Sequence, residues 1–270
     1  MKSCLKKTLI IKNSTMHFSK LLPLSVVIVT QNEEKNIREA LQSIRDASEI
    51  IAIDAFSTDR TADICREYTD KIHQKEWQGY ALQKRSGIEL ATQKWVFILD
   101  SDERFTEALW DEIKEAINRN QGYSGYYVPR KNFFLGKWIR HGGWWPDHTL
   151  RLFLKDKALM EERKVHEKVV VNGKAGYLRN HLEHYTYRTV SDYMKKMETY
   201  STLSAEEMRA QGKSSGLAKM ILHPVSTFFK MYFFRLGFMD GLHGLVLAVL
   251  YSTYTFLKYL KLWEALSGKR

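Results

Sequence analysis

The stretch VFILDSDERF, residues 96 to 105, runs from an apolar segment directly into three carboxylates, Asp100, Asp102 and Glu103. A short apolar run of this kind is typical of a buried strand in a parallel sheet. Carboxylates at its end indicate a cation site, because hard oxygen ligands bind Mg²⁺ or Mn²⁺, and these ions are often shared with substrate phosphates. The alternative is an exposed acidic turn whose residues cap a helix that begins near Thr106.

A second chemistry also uses two aspartates in this spacing. D-x-D at the end of a strand serves as nucleophile and acid in aspartyl-phosphate formation, an arrangement that resembles the haloacid dehalogenase family. There the motif follows the first strand and precedes Thr or Val. Here it follows the fourth predicted strand and precedes Glu103 and Arg104, which disfavours this chemistry.

Strands and helices alternate through the first 120 residues. β-branched apolar segments predict the strands, and apolar residues at helical spacing predict the helices. The predicted strands are 24–30, 49–54, 71–74 and 94–100, and the predicted helices are 36–44, 58–68, 79–91 and 107–117. This alternation predicts an α/β fold with right-handed βαβ units, a mostly parallel central sheet and flanking helices.

Polar residues follow three of these strands. They are Thr30 to Glu33, Asp54, and Asp100 to Glu103. Ligands of doubly wound sheets bind outside the carboxyl ends of the strands. We therefore expect these side chains to converge on one crevice.

The pattern changes after residue 120. Residues 125–153 are dense in aromatic residues, Arg and Gly, which predicts strands and binding loops. A further strand is predicted at 165–171, a polar amphipathic helix at 191–211, and two helices rich in Leu, Phe, Tyr and Met between 217 and 266.

Composition and charge are those of a globular protein with an anionic partner. The chain has 270 residues, of which 44% are hydrophobic and 27% charged, and a net charge of +11. That charge favours nucleic acid, phosphorylated lipid or a nucleotide sugar as partner. Cys4 and Cys65 lie far apart without metal-ligand spacing, as expected in a reducing cytoplasm. The N-terminus has no signal-peptide pattern, and Met16 is a second possible start.

The C-terminal part predicts attachment to a membrane. Its longest uncharged apolar run, 244–257, is shorter than the ~20 residues that span a bilayer. Phenylalanines between 228 and 238 alternate with Lys230 and Arg235, which is typical of a helix that lies in the membrane interface. A helical hairpin packed on the domain, or a dimer interface, is the alternative.

Three ordered motifs carry a family resemblance: LSVVIVTQNEEKNIREALQSI, EIIAIDAFSTDRTADI and WVFILDSDERF. Together they resemble the nucleotide-sugar domain of inverting family 2 glycosyltransferases with the GT-A fold. RKNFFLGKWIRHGGWWPDHTLRLF, VHEKV and the late GFMDGLHG resemble bacterial lipopolysaccharide core glycosyltransferases of the WaaE/KdtX type. The resemblance then covers almost the whole chain.

The resemblance implies a domain organisation. A basic N-terminal extension, 1–22, precedes a GT-A domain, 23–190, that has a nucleotide-sugar half, 23–120, and an acceptor half, 121–190. Residues 191–270 form a C-terminal helical segment that associates with the membrane.

The resemblance also implies roles for the residues at the strand ends. Thr30, Asn32 and Glu33 would border the nucleoside, and Asp54, with Ser57 beside it, would accept a hydrogen bond from the base. Asp100 and Asp102 would hold the ribose and the metal. Asp54 as a turn-former with Ser57 is the alternative. Phe56 departs from the family, which usually has a small residue there.

Inversion at the anomeric carbon needs a base that takes the proton of the acceptor hydroxyl. The candidates are Glu167 and Asp147, and the order of motifs in the family favours Glu167. His166 would ligate the metal or bind the diphosphate, unless it is structural. Asp147 as a turn residue after Pro146 remains open.

The acceptor would bind to aromatic and basic side chains. Trp144 and Trp145 would form a platform for a sugar ring, with burial in the core as the alternative. Acceptor phosphates would bind to basic residues, which otherwise are solvated surface charge: Arg130, Lys131, Arg140 and Arg151.

Taken together, these features predict a metal-dependent inverting hexosyltransferase. The donor would be a UDP-hexose, first of all UDP-glucose, and the acceptor a lipid-linked saccharide such as the lipopolysaccharide inner core. The enzyme would be cytoplasmic and peripheral on the anionic inner membrane. A basic nucleic-acid-binding module is the rival, but no nucleic-acid motif occurs and no such partner is expected. A nucleotidyltransferase usually has a Gly-rich phosphate loop, which VTQNEEKN lacks.

Overall fold

The computed structural model describes residues 22–119, 121–161 and 168–268. Its strands are β1 Leu22–Thr30, β2 Ala47–Asp54, β3 Ile72–Gln74, β4 Trp95–Asp100, β5 Glu103–Phe105, β6 Tyr123–Phe134, β7 Lys137–Trp138, β8 Asp147–Leu154, β9 Ala158–Glu161, β10 Lys168–Val171, β11 Lys174–Tyr177 and β12 Leu182–Tyr187. Its α-helices are α1 Ile37–Ser43, α2 Thr61–Arg66, α3 Tyr80–Leu90, α4 Glu107–Arg119, α5 Val190–Ala210, α6 Leu217–Phe229 and α7 Leu242–Ser267. The predicted α/β class is confirmed.

The central sheet is mixed, with strand order β3-β2-β1-β4-β8-β6-β12-β5. The first four strands of this order are parallel, as the βαβ pattern predicts. Strand β8 lies antiparallel between β4 and β6, and β12 lies parallel to β6. The region after residue 120 therefore forms the second half of the sheet. Its strand β8 lies beside β4, next to the carboxylates.

Strand β1 is the centre of the core. Its alternate residues belong to two hydrophobic clusters. One cluster includes Val26 and Ile28, and the other includes Val27 and Val29. Helix α3 packs directly on this strand. Its Gly87 is so close to β1 that an added Cβ atom would lie 2.2 Å from Val27 Cγ1. This close packing fixes the position of α3, which carries Lys84 towards the end of β4.

The three C-terminal helices pack on the second half of the sheet. A third hydrophobic cluster joins Phe134 and Trp144 to Tyr193 of α5 and Leu247 of α7. The buried Asp240, between α6 and α7, accepts hydrogen bonds from the backbone N–H groups of residues 140 and 141, at 3.2 and 2.8 Å to Oδ2. The helical segment is thus attached to the loop that was predicted to bind the acceptor.

Helix α7 is longer than its apolar run predicted. It spans 26 residues and is long and apolar enough to cross a membrane by length and composition, with 22% of its most apolar window buried. The apolar run 244–257 is shorter than a membrane span, but the helix that contains it is not. The expectation based on the length of the run alone is therefore wrong. The helix continues beyond that run, through Lys258 and Lys261, to Ser267.

Candidate functional site

The polar strand ends meet at one edge of the sheet. Thr30 pairs with Asp54 on one side of β1, and Val29 pairs with Asp100 on the other. Because neighbouring strands lie about 4.8 Å apart, the two aspartates flank the end of β1 at roughly 10 Å from each other. The shared edge that the βαβ pattern predicts is present.

The loops that follow β1 and β2 are joined by hydrogen bonds. The backbone N–H of Asn32 donates to Ser57 Oγ at 2.9 Å, and the N–H of Thr58 donates to Asn32 Oδ1 at 2.8 Å. Asn32 and Phe56 both adopt positive φ, 54° and 52°. The left-handed conformation explains the small residue that the family usually has at this point, since Gly adopts it without strain. Phe56 is 53% exposed, so its ring lies on the outer side of the loop.

Asp54 closes a turn. It is fully buried and accepts hydrogen bonds from Ser57 Oγ at 2.5 Å, from Ser57 N at 3.0 Å and from Gln74 Nε2 at 3.1 Å. Next to it on β1, Thr30 is 2% exposed, and its hydroxyl has no hydrogen-bond partner in the described chain. A buried hydroxyl without a partner is costly, so Thr30 Oγ1 is a group available to a ligand.

Asp100 lies between two cations. Its Oδ1 is 3.1 Å from Lys84 Nζ and its Oδ2 is 2.5 Å from Arg151. Burial alone would raise the pKa of Asp100, but Arg151 and Lys84 outweigh it and hold that pKa well below its usual value. The fully buried Glu103 accepts a second bond from Arg151 at 2.5 Å and one from Asp100 N at 3.1 Å.

The acceptor-binding role predicted for Arg151 needs correction. Arg151 as a whole residue is 3% exposed, and its guanidinium donates hydrogen bonds to Asp100 and Glu103. Antiparallel pairing of β8 with β4 brings it there, since Leu152 pairs with Phe97. Arg151 is therefore a partner of the carboxylates and not a surface group for acceptor phosphates.

Asp102 faces two other basic groups. His184 Nε2 lies 3.4 Å from its Oδ1, and Lys196 Nζ lies 3.4 Å from its Oδ2. Burial would raise the pKa of Asp102, yet His184 and Lys196 lower it below its usual value, so the carboxylate is ionised at neutral pH. Glu33 is close enough that its own pKa is raised, first by burial and then by the charge of Asp102.

His184 is held between Asn132 and Asp102. Asn132 donates through its side-chain nitrogen to Trp144 O and Asp147 Oδ2, at 3.2 and 3.1 Å, so its Oδ1 accepts from His184 Nδ1 at 2.6 Å. One ring nitrogen of His184 is therefore held by Asn132, and the other, Nε2, faces Asp102. A hydrogen bond of this kind orients the ring of a histidine.

Asp102 and His184 are the two neighbouring side chains here that could hold a divalent cation, with the carboxylate as a hard oxygen ligand. Within residues 22–119, 121–161 and 168–268, no group of three or more His, Cys, Asp and Glu side chains is arranged to hold a metal. Mg²⁺ usually has only one or two protein ligands. Substrate phosphates and water complete its coordination shell.

Asp147 lies at the far end of this hydrogen-bonded chain. Its Oδ2 accepts from Arg130 at 2.6 Å as well as from Asn132. Its side chain is 32% exposed, so the carboxylate is held in place and remains accessible to a substrate hydroxyl.

The predicted acceptor residues separate into two groups. Trp144 is 8% exposed and packs against Phe134 and Tyr251, with ring centroids 6.2 Å apart in each case, so it belongs to the hydrophobic cluster. Trp145 is half-buried and meets Trp138 edge to face at 5.5 Å. The guanidinium of Arg140 lies 4.2 Å from the centre of the Trp138 ring. Trp138, Trp145 and Arg140 form a surface that we call the aromatic patch.

Two predicted residues, His166 and Glu167, lie outside the described residues. Sequence reasoning missed several groups that contact the carboxylates, namely Lys84, Asn132, His184 and Lys196. His184 is the third residue of β12, between Glu183 and Tyr185, and this context gave no local signal of a contact with Asp102. Lys196 had none, since the sequence of the amphipathic helix α5 does not distinguish it from the neighbouring Lys195.

Known proteins resemble this chain over most of its length. The family model described as Glycosyl transferase family 2 matches residues 25–186, more than half of the chain. The lipopolysaccharide core biosynthesis glycosyltransferase LpsC of Rhizobium meliloti is 31% identical over 255 residues, which cover 90% of this chain and 93% of LpsC.

Two solved structures have more distant likeness. S. aureus TarS 1-349 in complex with UDP is 15% identical with a TM-score of 0.46, over 92% of both chains. Mycobacterium tuberculosis glucosyl-3-phosphoglycerate synthase with Mg²⁺ and UDP is 14% identical with a TM-score of 0.46, over 72% of this chain and 80% of that one. At these scores the likeness supports neither a ligand nor a mechanism for the present chain.

Proposed function

The chain belongs to glycosyl transferase family 2, and from that membership we propose that it transfers a hexose, glucose first of all, from a UDP-sugar to a lipid-linked saccharide such as the lipopolysaccharide inner core. The 31% identity to LpsC over nearly the whole chain supports this acceptor class. The proposed catalytic domain spans 23–190, with 191–270 as the C-terminal segment and 1–22 as a basic extension.

The observation that carries the proposal is the alternation of acids and bases at the carboxyl end of β4. Asp102 is buried and Asp100 is partly buried, both are ionised, and they are surrounded by basic groups: Lys84, Arg151, His184 and Lys196. A cluster of this composition is suited to a cation and a diphosphate together, because each charge of the ligand meets an opposite charge that is already in place. Thr30 and Asp54 border the same edge on the side where a nucleoside would lie.

The proposed reaction is a single in-line displacement with inversion. The acceptor oxygen attacks the anomeric carbon, the bond to the diphosphate breaks, and the electron pair leaves on the diphosphate oxygen. Mg²⁺ or Mn²⁺ held by Asp102 and His184 would neutralise charge on the leaving diphosphate. Asp100 is available to the ribose, and Lys84 and Arg151 keep it ionised.

Two carboxylates remain candidates for the base. Asp147 is accessible and is oriented by Arg130 and Asn132, and the order of motifs supports Glu167. Replacement of each by its amide separates them: the true base variant loses kcat by at least ~100-fold while donor affinity is retained. If a variant keeps the wild-type kcat, the residue that it replaces is not the base.

The aromatic patch is the proposed platform for the acceptor sugar. The half-buried ring of Trp145 suits the C–H face of a sugar ring, and Arg140, which lies over the Trp138 ring, is available for an acceptor phosphate. Trp144 is not part of this surface, since it is buried.

A peripheral location on an anionic membrane surface is proposed from the C-terminal helices. Exposed apolar side chains run along α6, at Leu217, Ile221, Leu222, Val225 and Phe229, and along α7, at Leu242, Leu245, Val249, Phe256 and Trp263. From Lys213 to Lys261 the sequence has several basic residues and one acidic residue, Asp240, which is buried. Apolar stripes with cationic borders are suited to the headgroup region of an anionic leaflet.

The test of the proposed function is donor turnover. Purified protein is incubated with UDP-, ADP- and GDP-sugars and a lipopolysaccharide core acceptor, with Mn²⁺ or with EDTA. We expect Mn²⁺-dependent release of UDP and none from Asp102→Ala. Turnover that is unaffected by EDTA, or full activity of Asp102→Ala, would contradict the proposal.

A further inference from the structure

Helix α5 supplies a basic side chain to the carboxylate site. The family match ends at residue 186, and α5 begins at Val190. From this helix Lys196 reaches back to Asp102, with Nζ 3.4 Å from Oδ2. The C-terminal segment therefore contributes directly to the site at the edge of the sheet.

The backbone of α5 is firmly held at this point. Thr189 and Asp192 form a capping box at its start, with reciprocal hydrogen bonds of 3.0 and 3.1 Å. Tyr193 and Met197, on either side of Lys196, are buried in the third hydrophobic cluster. A fixed backbone holds the Cα atom of Lys196 at a constant position relative to the site.

The side chain of Lys196 is held less tightly than its backbone. Apart from Asp102, its Nζ lies 3.4 Å from Thr186 O and 5.2 Å from the centre of the Tyr187 ring. Both polar contacts are long for charge-assisted hydrogen bonds, which are typically about 2.7–2.9 Å. By contrast, Arg151 binds Asp100 and Glu103 at 2.5 Å each. The Lys196 ammonium is thus placed near the site without being committed to a close partner.

We propose that Lys196 binds the diphosphate of the nucleotide donor and stabilises it as the leaving group. This inference rests on the proposed function and adds a ligand from outside the family-matched part of the chain. A divalent cation bound at Asp102 would weaken the pairing of that carboxylate with Lys196, and the diphosphate would then compete with Glu33 for the ammonium. Lys196 gains and loses no proton in this role: the anomeric C–O bond breaks, the electron pair stays on the β-phosphate oxygen, and the ammonium pairs with the new charge.

A consequence is that the C-terminal segment completes the donor site. Helix α5 packs on α7, and Lys261 of α7 donates to Glu198 Oε1 and Ser201 Oγ of α5, at 2.7 and 2.9 Å. The helix that bears the proposed membrane stripe and the helix that bears the proposed diphosphate ligand are therefore bound to each other.

The experiment compares ligands that differ only in their phosphates. Uridine, UMP and UDP are titrated against wild type and Lys196→Met by calorimetry, with EDTA and then with Mn²⁺. We expect Lys196→Met to weaken UDP by at least about tenfold, which is the effect of one charge-assisted contact, and to leave uridine unchanged. Lys196→Arg should keep most of the UDP affinity. Lys195→Met, on the exposed side of the same helix, is the matched control and should match wild type.

The outcomes separate a ligand from a structural lysine. If uridine and UDP weaken by the same factor, or if neither changes, Lys196 does not bind the diphosphate and the inference is overturned. Should Lys196→Met not fold, Lys196→Gln, which is uncharged but polar, takes its place in the same comparison. If wild type binds none of UDP, ADP and GDP, the proposed donor class fails, and this inference fails with it.

Discussion

Replacing Glu49 by Gln tests how burial and hydrogen-bonded cations balance in this sheet. Glu49 is buried in β2 and is bonded by Lys71 and Ser25, and by Thr92 through its N–H at 2.7 Å and its hydroxyl at 3.0 Å. It lies five residues before Asp54, about 17 Å from the strand end. Its loss should therefore change stability and leave the site intact.

The magnitude follows from the pKa. Burial would raise the pKa of Glu49, but the bonds from Lys71, Ser25 and Thr92 outweigh it and lower the pKa from 4.5 to about 2. A shift of this size is linked to roughly 3 kcal/mol of stability at most. The Lys71 side chain is 49% exposed, so solvent screening reduces the expected loss to about 2 kcal/mol at pH 7.

The sign of the pH dependence is fixed. Because the folded-state pKa is depressed, the contribution is fully present above the unfolded value of 4.5 and is lost as pH falls towards about 2. The difference between wild type and Glu49→Gln should thus fall to roughly 60 per cent of its pH 7 value at pH 3.5.

The assay is urea unfolding followed by circular dichroism at pH 7, 5 and 3.5, with the unfolding slope checked for each variant. Glu89→Gln, whose carboxylate is exposed and pairs with Arg85, is the control and should change stability by less than about 0.5 kcal/mol. A difference between Glu49→Gln and wild type that is equal at pH 7 and pH 3.5 would refute the reasoning.

Three further predictions address metal binding, packing and the membrane. Asn132→Ala should weaken Mn²⁺ binding in the presence of UDP by roughly 10–100-fold, because the hydrogen bond that orients His184, the proposed metal ligand, is lost. The measurement is electron paramagnetic resonance, and unchanged Mn²⁺ affinity would contradict this. Gly87→Ala should lower the free energy of unfolding by about 1–3 kcal/mol, because its Cβ meets a valine methyl at 2.2 Å. Gly216→Ala, where a Cβ meets no atom within 4 Å, should not lower it comparably. Phe229→Ser with Phe234→Ser should reduce co-sedimentation with anionic vesicles by at least about tenfold, since both rings are exposed; binding equal to wild type would exclude these rings from the membrane contact.

The sequence by itself determined the elements and the edge at which the site lies. All eight strands and helices predicted before residue 120 are present, with ends shifted by at most three residues. Such elements depend on residues close in the chain, because a strand or helix repeats its side-chain direction every few positions. Asp54 and Asp100 could be assigned to one edge for the same reason, since parallel strands bring their carboxyl ends together.

Only the tertiary structure decided which groups meet these carboxylates. Arg151 binds Asp100 across 51 residues, and Lys196 reaches Asp102 across 94. Nothing near Arg151 in the sequence distinguishes a buried partner of a carboxylate from a surface arginine, and Trp144 and Trp145 are neighbours with different exposure. These contacts depend on strand order, on the register of β8 against β4, and on the position of α5 above the sheet. Long-range contacts of this kind are fixed by how the elements pack together, and local side-chain patterns carry no record of them.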